Sequence, residues 1–302
     1  MTRRIRTYRE VTDPAGEDVV AQVVAQRGRV DARLARIGRV VLVASGKGGV
    51  GKSAVTANLA AALAARGLAV GALDADLHGP SLARMLGARG PLLMGSNGVR
   101  PAAGAGGVRV MSMDLLLEAD DAPVRWRGET ADRGVLERSA LRELLADTAW
   151  GELDALLVDL PPGTDRIERA LELVPEPSVV LVVTTPSVAA GGVVARSLRA
   201  LATAGAPVGL VANMSHFACP SCGEVEPLWS GDAVEDLARR TGTAVWAGIP
   251  FEPALAAETD AGRPPGGSSA GPPSPAGRAI DALAERVAGL PRRPGSGEAA
   301  DP

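Results

Sequence analysis

Val40-Val41-Leu42-Val43-Ala44-Ser45-Gly46-Lys47-Gly48-Gly49-Val50-Gly51-Lys52-Ser53 is the stretch that decides how this chain folds. Its first five residues are apolar and mostly β-branched, the composition of a strand buried on both faces of a parallel sheet. A glycine-rich run follows. Residues 54–66 then place Val55, Leu59 and Leu63 at helical spacing, and Gly67 stands where a helix stops. The chain holds only two lysines, Lys47 and Lys52, and both lie in this loop; the other thirty basic side chains are arginine. A compact ammonium and a planar guanidinium are not interchangeable in a tight phosphate pocket, so the contrast marks a phosphate site.

Gly46-x-x-x-x-Gly51-Lys52-Ser53 is a complete P-loop pattern, set between an expected strand and an expected helix as the motif requires. Glycines let backbone amides turn inward onto phosphate oxygens, and the helix N-terminus adds its partial positive charge. Residues Gly46, Lys47, Gly48, Gly49, Val50, Gly51, Lys52, Ser53 and Ala54 are the expected cradle for ATP. Lys52 is expected on the β- and γ-phosphates, and the Ser53 hydroxyl on Mg²⁺.

Working outward, the β-branched and apolar runs at 68–73, 153–160, 179–183, 208–212 and 244–249 read as further strands. Helical stretches alternate with them. That alternation implies right-handed βαβ units. The expected fold class is α/β, a mostly parallel sheet with helices on both faces, three layers in all. Residues 87–123 are rich in Gly and Pro around the apolar run 108–113 and read as a loop or hairpin leading to a strand; 132–148 reads as a helix. Residues 1–38 form a lead-in with a helix expected over 17–37. The nucleotide-binding domain is expected over 39–262. Residues 263–302 read as a Pro/Gly-rich linker, a short helix with Ile280, Leu283 and Val287 on one face, and a disordered end.

Composition narrows the function. At 302 residues, 46% hydrophobic and 22% charged, the chain suits a globular protein with a sizeable core. Aromatics are only 2%, so Ala, Val and Leu must build that core. A formal net charge of −3 argues against a general nucleic-acid binder. No apolar run reaches the roughly 18–20 residues of a membrane span, so no membrane partner is expected. No apolar segment follows the basic start Met1-Thr2-Arg3-Arg4-Ile5-Arg6, and a cytoplasmic location is expected.

Carboxylates belong with the loop. Asp159 closes an apolar strand, the place of an aspartate that holds Mg²⁺ through water. Asp74 and Asp76 close the neighbouring strand, on the edge where α/β sheets bind ligands. Asn213 follows another strand.

The only two cysteines lie in Cys219-Pro220-Ser221-Cys222-Gly223. Pro and Gly shape a tight turn whose amides can point at thiolates, which suits zinc and iron alike. Two thiolates are too few for a closed tetrahedral site or a four-cysteine cluster. His216 would bring the count to three at most. Two copies of the chain supply four cysteines, so a homodimer bridged by zinc or a cluster is favoured over a redox disulfide or free thiols.

Lys-Gly-Gly-x-Gly-Lys-Ser resembles the deviant Walker A loop of the MinD, ParA and nitrogenase-iron-protein class. That resemblance implies that Lys47 reaches across a dimer to the nucleotide of the other subunit. It also implies that Asp74 orients the attacking water, Asp76 touches the Mg²⁺ shell and Asn213 reads adenine. Seven stretches together resemble the Mrp/ApbC family of iron–sulfur cluster carrier ATPases: residues 45–53, Asp74-Ala75-Asp76-Leu77-His78-Gly79-Pro80-Ser81, Trp126-Arg127-Gly128, Trp150-Gly151-Glu152-Leu153-Asp154, Asp159-Leu160-Pro161-Pro162-Gly163-Thr164, Asn213-Met214-Ser215 and Cys219-Pro220-Ser221-Cys222-Gly223. The implied protein is a homodimeric ATPase, slow in hydrolysis, that holds a [4Fe–4S] cluster on Cys219 and Cys222 of both copies and passes it to apo-proteins. Ala54 replaces the usual threonine after the P-loop serine, Asp165 follows Thr164 without the common Gly, and Glu129 stands where proline is usual. The N-terminal domain that many members carry does not fit into residues 1–38. The rival readings are a MinD/ParA-like positioning ATPase, which would want a basic amphipathic tail, and a zinc-stapled nucleotide-binding scaffold.

Overall fold

The computed structural model describes residues 19–77, 79–116, 133–265 and 274–294. The expected apolar runs become strands: β1 (Val40–Ala44), β2 (Val70–Asp74), β7 (Ala155–Asp159), β8 (Val179–Thr184), β9 (Val208–Ala218) and β11 (Val245–Phe251). Between β2 and β7 lie β3 (Leu93–Gly95), β4 (Gly98–Arg100), β5 (Ala102–Ala103) and β6 (Arg109–Met111); β10 (Val225–Pro227) follows β9. One sheet runs β10-β9-β8-β1-β7-β2-β6-β5, with β11 also on β9. Its central pairs are parallel, and only β10 and β5 at its ends run antiparallel. The separate β3–β4 pair is the hairpin expected in the Gly/Pro-rich stretch.

The two faces follow from the strand period of two. In β1, Val40, Leu42 and Ala44 point into one core and Val41 and Val43 into the other. The first core is closed by helices α1 (Val19–Leu34), α4 (Arg133–Asp147), α5 (Thr164–Leu173), α6 (Val188–Thr203) and α7 (Ala233–Thr241). The second is closed by α2 (Lys52–Ala65), α3 (Leu82–Met85) and α9 (Pro275–Ala288), with α8 (Pro253–Asp260) alongside. The expected three-layer α/β fold is the observed one. Each fully buried Val, Leu or Ile contributes about 1.5–3 kcal/mol, and the near-absence of aromatics is offset by the number of such residues.

Three local differences from the sequence reading matter. β9 does not end at Ala212 but continues to Ala218, because β10 and β11 supply backbone partners to its distal half. The first described residues of the expected disordered end are tied down instead: Arg293 donates its backbone N–H to Gly38 at 2.7 Å and Arg292 pairs with Asp154 at 2.5 Å. The expected helix over 17–37 spans Val19–Leu34, and its first two residues lie outside the described ones, as do His78 and Trp126-Arg127-Gly128.

Candidate functional site

The C-terminal ends of β1, β7 and β2 lie side by side, with Val43 opposite Asp159 and Asp159 opposite Asp74. This is the edge where a parallel sheet presents ligand-binding residues. The glycine-rich loop leaves β1 here and enters α2 through Gly51, whose φ of 79° caps the helix. Gly49 also has a positive φ, 78°, a conformation costly for any side chain. The first-turn amides of α2 therefore face the open edge without intrahelical partners, as an anion site needs.

Lys52, only 7% exposed, places its Nζ 2.7 Å from Oδ1 of the fully buried Asp159. Ser53 Oγ donates to Asp159 Oδ2 at 2.6 Å, and Thr56 Oγ1 donates to Asp159 Oδ1 at 2.9 Å. One buried carboxylate thus gathers an ammonium and two hydroxyls. Thr56 was missed from the sequence, where it reads as one more residue of an alanine-rich helix; its signal is its position one turn beyond Lys52. Ala54 offers no hydroxyl, and its carbonyl accepts from Asn58 Nδ2 at 2.9 Å.

Asp74 is 1% exposed. Its Oδ1 accepts the Asp76 amide at 3.0 Å, and its Oδ2 accepts the Ser81 amide at 2.9 Å, the Leu82 amide at 3.0 Å and the Ser112 hydroxyl at 3.3 Å. Burial first, and then the neighbouring charge of Asp159, push its carboxyl up from 3.8 to about 7 against those amide bonds. Both oxygens are engaged by the segment 76–82, so Asp74 fastens that segment to the strand end. Oδ1 carries the single Asp76 amide and Oδ2 the other three donors. Asp76 sits at the base of the same segment and accepts the Gly79 amide at 3.3 Å.

The loop Asp159-Leu160-Pro161-Pro162-Gly163 is tied to the other strand end, with the Leu160 amide donating to Val43 O and the Gly163 amide to Ser45 O, both at 2.9 Å. Lys47 is exposed at the outer turn and makes no ion pair with a described residue. Asn213 is 9% exposed and donates Nδ2 to Val50 O at 2.9 Å. The structure therefore brings Lys52, Ser53, Asp159, Asp74 and Asn213 to one edge, and leaves Lys47 facing outward.

The cysteines occupy the turn between β9 and β10, closed by Cys219 N to Glu224 O at 2.8 Å and Gly223 N to Cys219 O at 2.9 Å. Gly223 takes the positive φ of 74° that the turn requires. Cys219 is half-buried and Cys222 exposed, both as thiols. The backbone amides of Cys222 and Ser221 hold the Cys219 thiol below its ordinary value, favouring the thiolate that binds metal. His216 is not part of this turn's donor set: its Nδ1 lies 3.0 Å from Ser215 Oγ. Among the described residues no three His, Cys, Asp or Glu side chains converge on a metal position, so a metal on this turn would need ligands beyond the two thiols.

A buried lysine on a helix N-terminus, a strand-end aspartate bonded to the next serine, and a parallel sheet behind them define a P-loop nucleoside triphosphatase. Residues 36–288 match the family model described as NUBPL iron-transfer P-loop NTPase, and the chain belongs to that family. It is 41% identical over 246 residues to an iron-sulfur cluster carrier protein of Saccharolobus solfataricus, covering 80% of this chain and 81% of the relative. It is 40% identical to the cytosolic Fe-S cluster assembly factor NUBP2 of Bos taurus, over 84% of this chain and 93% of that one. Among solved structures, a nucleotide-binding protein from Archaeoglobus fulgidus in complex with ADP superposes with a TM-score of 0.66 at 35% identity, over 78% of this chain and 91% of that one. The cell division ATPase MinD of Pyrococcus furiosus superposes at 0.56 with 26% identity, over 83% and 98%. The resemblance to iron–sulfur carrier ATPases thereby rests on similarity over 80% to 84% of the chain, and the MinD-like architecture on the fold.

Proposed function

We propose that the chain binds and hydrolyses ATP and carries an iron–sulfur cluster, held as [4Fe–4S] between the Cys219–Cys222 pairs of two copies, for delivery to apo-proteins in the cytoplasm. The observation that carries this is the two-thiolate knuckle. Its Cys222 is exposed, its Cys219 is tuned toward thiolate, it is short of two ligands, and it directly follows the strand whose Asn213 grips the P-loop. The names of the relatives support the same cargo.

Lys52 and the α2 amides take the phosphates. Ser53, Asp159 and Asp76 are oxygen donors suited to a hard cation and its waters. Mg²⁺, when bound there, neutralises charge building on the phosphate oxygens. Asp74 acts through the segment it fastens, keeping Asp76 at the strand end. Lys47, exposed and unpaired with any described residue, is available to the nucleotide of a second copy, where an ammonium stabilises transition-state charge. Asn213 is placed to leave Val50 O for the adenine. Among the described residues no helix is long and apolar enough to cross a membrane.

Anaerobic reconstitution of the full chain with iron and sulfide tests the reading. Bound iron and sulfide with the broad visible absorption of a cluster are expected. Zinc alone on the thiols, with no iron taken up, would replace the carrier with a zinc-stapled nucleotide-binding protein.

A further inference from the structure

Met214 is the one non-glycine residue with a positive φ, 53°, among the described residues. It sits mid-strand, where a long unbranched side chain has no intrinsic reason to adopt that conformation. Such a backbone persists only where its surroundings hold it. Three contacts surround it. On one side Asn213 donates to Val50 O of the P-loop at 2.9 Å, so close that a Cβ on Gly51 would stand 2.3 Å from Asn213 Nδ2. On the other side the return arm of the cysteine hairpin folds back: Trp229 Nε1 donates to Met214 O at 2.7 Å, and the Leu228 amide reaches Ser215 O at 3.4 Å. Pairing is disturbed at the same place. Asn213 is opposite Ile249 and Phe217 is opposite Phe251, so β9 carries two more residues than β11 across this interval. A bulge there re-aims everything beyond it, and what lies beyond is Cys219 and Cys222.

We infer that Met214 is a hinge through which the nucleotide state of the P-loop sets the presentation of the two cysteines, with Trp229 as the positioning residue that holds it. The kink is gripped from the nucleotide site by Asn213 and from the metal knuckle by Trp229, so both sites bias one element. That shared bias is the physical requirement for coupling between them. When nucleotide rearranges the loop backbone or draws Asn213 away from Val50 O, one clamp opens. Met214 then relaxes toward the extended conformation, and the hairpin 219–229 turns with it. This rests on the proposed nucleotide and cluster sites, and it adds how one addresses the other.

The chain has only two cysteines, so its thiol reactivity reports the knuckle alone. The test measures the rate of reaction of the reduced full chain with 5,5′-dithiobis(2-nitrobenzoate), nucleotide-free and with Mg-ATP, alongside affinity for a fluorescent ATP analogue. The wild-type rate is expected to change by about fivefold or more with Mg-ATP, the lower end of ordinary coupling between sites. Trp229→Phe keeps an aromatic ring but loses the donor; it should bring the ratio close to one while nucleotide affinity stays unchanged. Met214→Gly, which makes the left-handed conformation costless, should do the same and decides the question should Trp229→Phe fold poorly. A wild-type ratio of one, or variants that keep the wild-type ratio, would overturn the hinge. Thiol protection caused by dimerisation alone would survive both substitutions and so counts against it. No cluster is needed in this assay, so failure to bind iron would sink the carrier reading and leave the thiol result standing.

Discussion

Asp74→Asn should make the nucleotide-free protein less sensitive to pH, and the size of the effect can be worked from the site. Burial and the charge of Asp159 move the Asp74 carboxyl from 3.8 to about 7 on folding. A group raised in the folded state contributes stability that is complete below its unfolded value and is lost as pH rises through the folded one. At about 1.36 kcal/mol per pH unit, the whole interval is worth roughly 4 kcal/mol, and the part between about pH 5 and pH 8 roughly 3 kcal/mol. Asparagine matches the protonated carboxyl in shape and does not titrate. It loses one of the acceptors that now hold the Asp76, Ser81 and Leu82 amides, but that loss is independent of pH and cancels between conditions. Urea unfolding of both proteins without nucleotide, at about pH 5 and pH 8, gives the comparison. The stability of the variant relative to wild type should rise by roughly 3 kcal/mol across that interval, and its ATPase rate should fall because the segment carrying Asp76 is less firmly fastened. Parallel curves for the two proteins, to within about 1 kcal/mol, would refute the reasoning.

Lys47→Arg keeps the charge but not the compact ammonium, and ATP turnover should drop about tenfold or more with nucleotide affinity retained, read from steady-state phosphate release. Lys52→Ala removes the ammonium paired with buried Asp159 and should abolish binding of a fluorescent ATP analogue while iron uptake persists. Replacing Cys219 and Cys222 together by serine should do the reverse. Gly51→Ala would set a Cβ at φ 79° and 2.3 Å from Asn213 Nδ2, and should cost about 1–3 kcal/mol in urea unfolding. Gly48→Ala, whose Cβ meets nothing within 4 Å, should leave stability unchanged.

The core of the fold was legible because β1, β2, β7 and β8 are buried on both faces, and burial on both faces demands unbroken apolar runs that a reader can see. The distal half of β9 was not legible. Asn213-Met214-Ser215-His216-Phe217 has no such run, and it is a strand only because β10 and β11 arrive from later in the chain to pair with it. The phosphate loop and Asp159 could be placed by motif and strand end. Thr56 on Asp159, and the engagement of both Asp74 oxygens by residues 76, 81, 82 and 112, depend on side-chain directions that spacing alone does not fix. The cysteine pair was legible as two thiol ligands in a tight turn, and what spacing alone did not fix is that the amides of Ser221 and Cys222 face Cys219.

The central claim is that one cluster joins two copies of this chain through Cys219 and Cys222. Native mass spectrometry of the anaerobically reconstituted protein addresses it in one measurement. The account predicts a species with the mass of two chains plus one [4Fe–4S] unit, lost when both cysteines are replaced by serine. A cluster or zinc ion carried by single chains, or a two-chain species unaffected by those replacements, would contradict it.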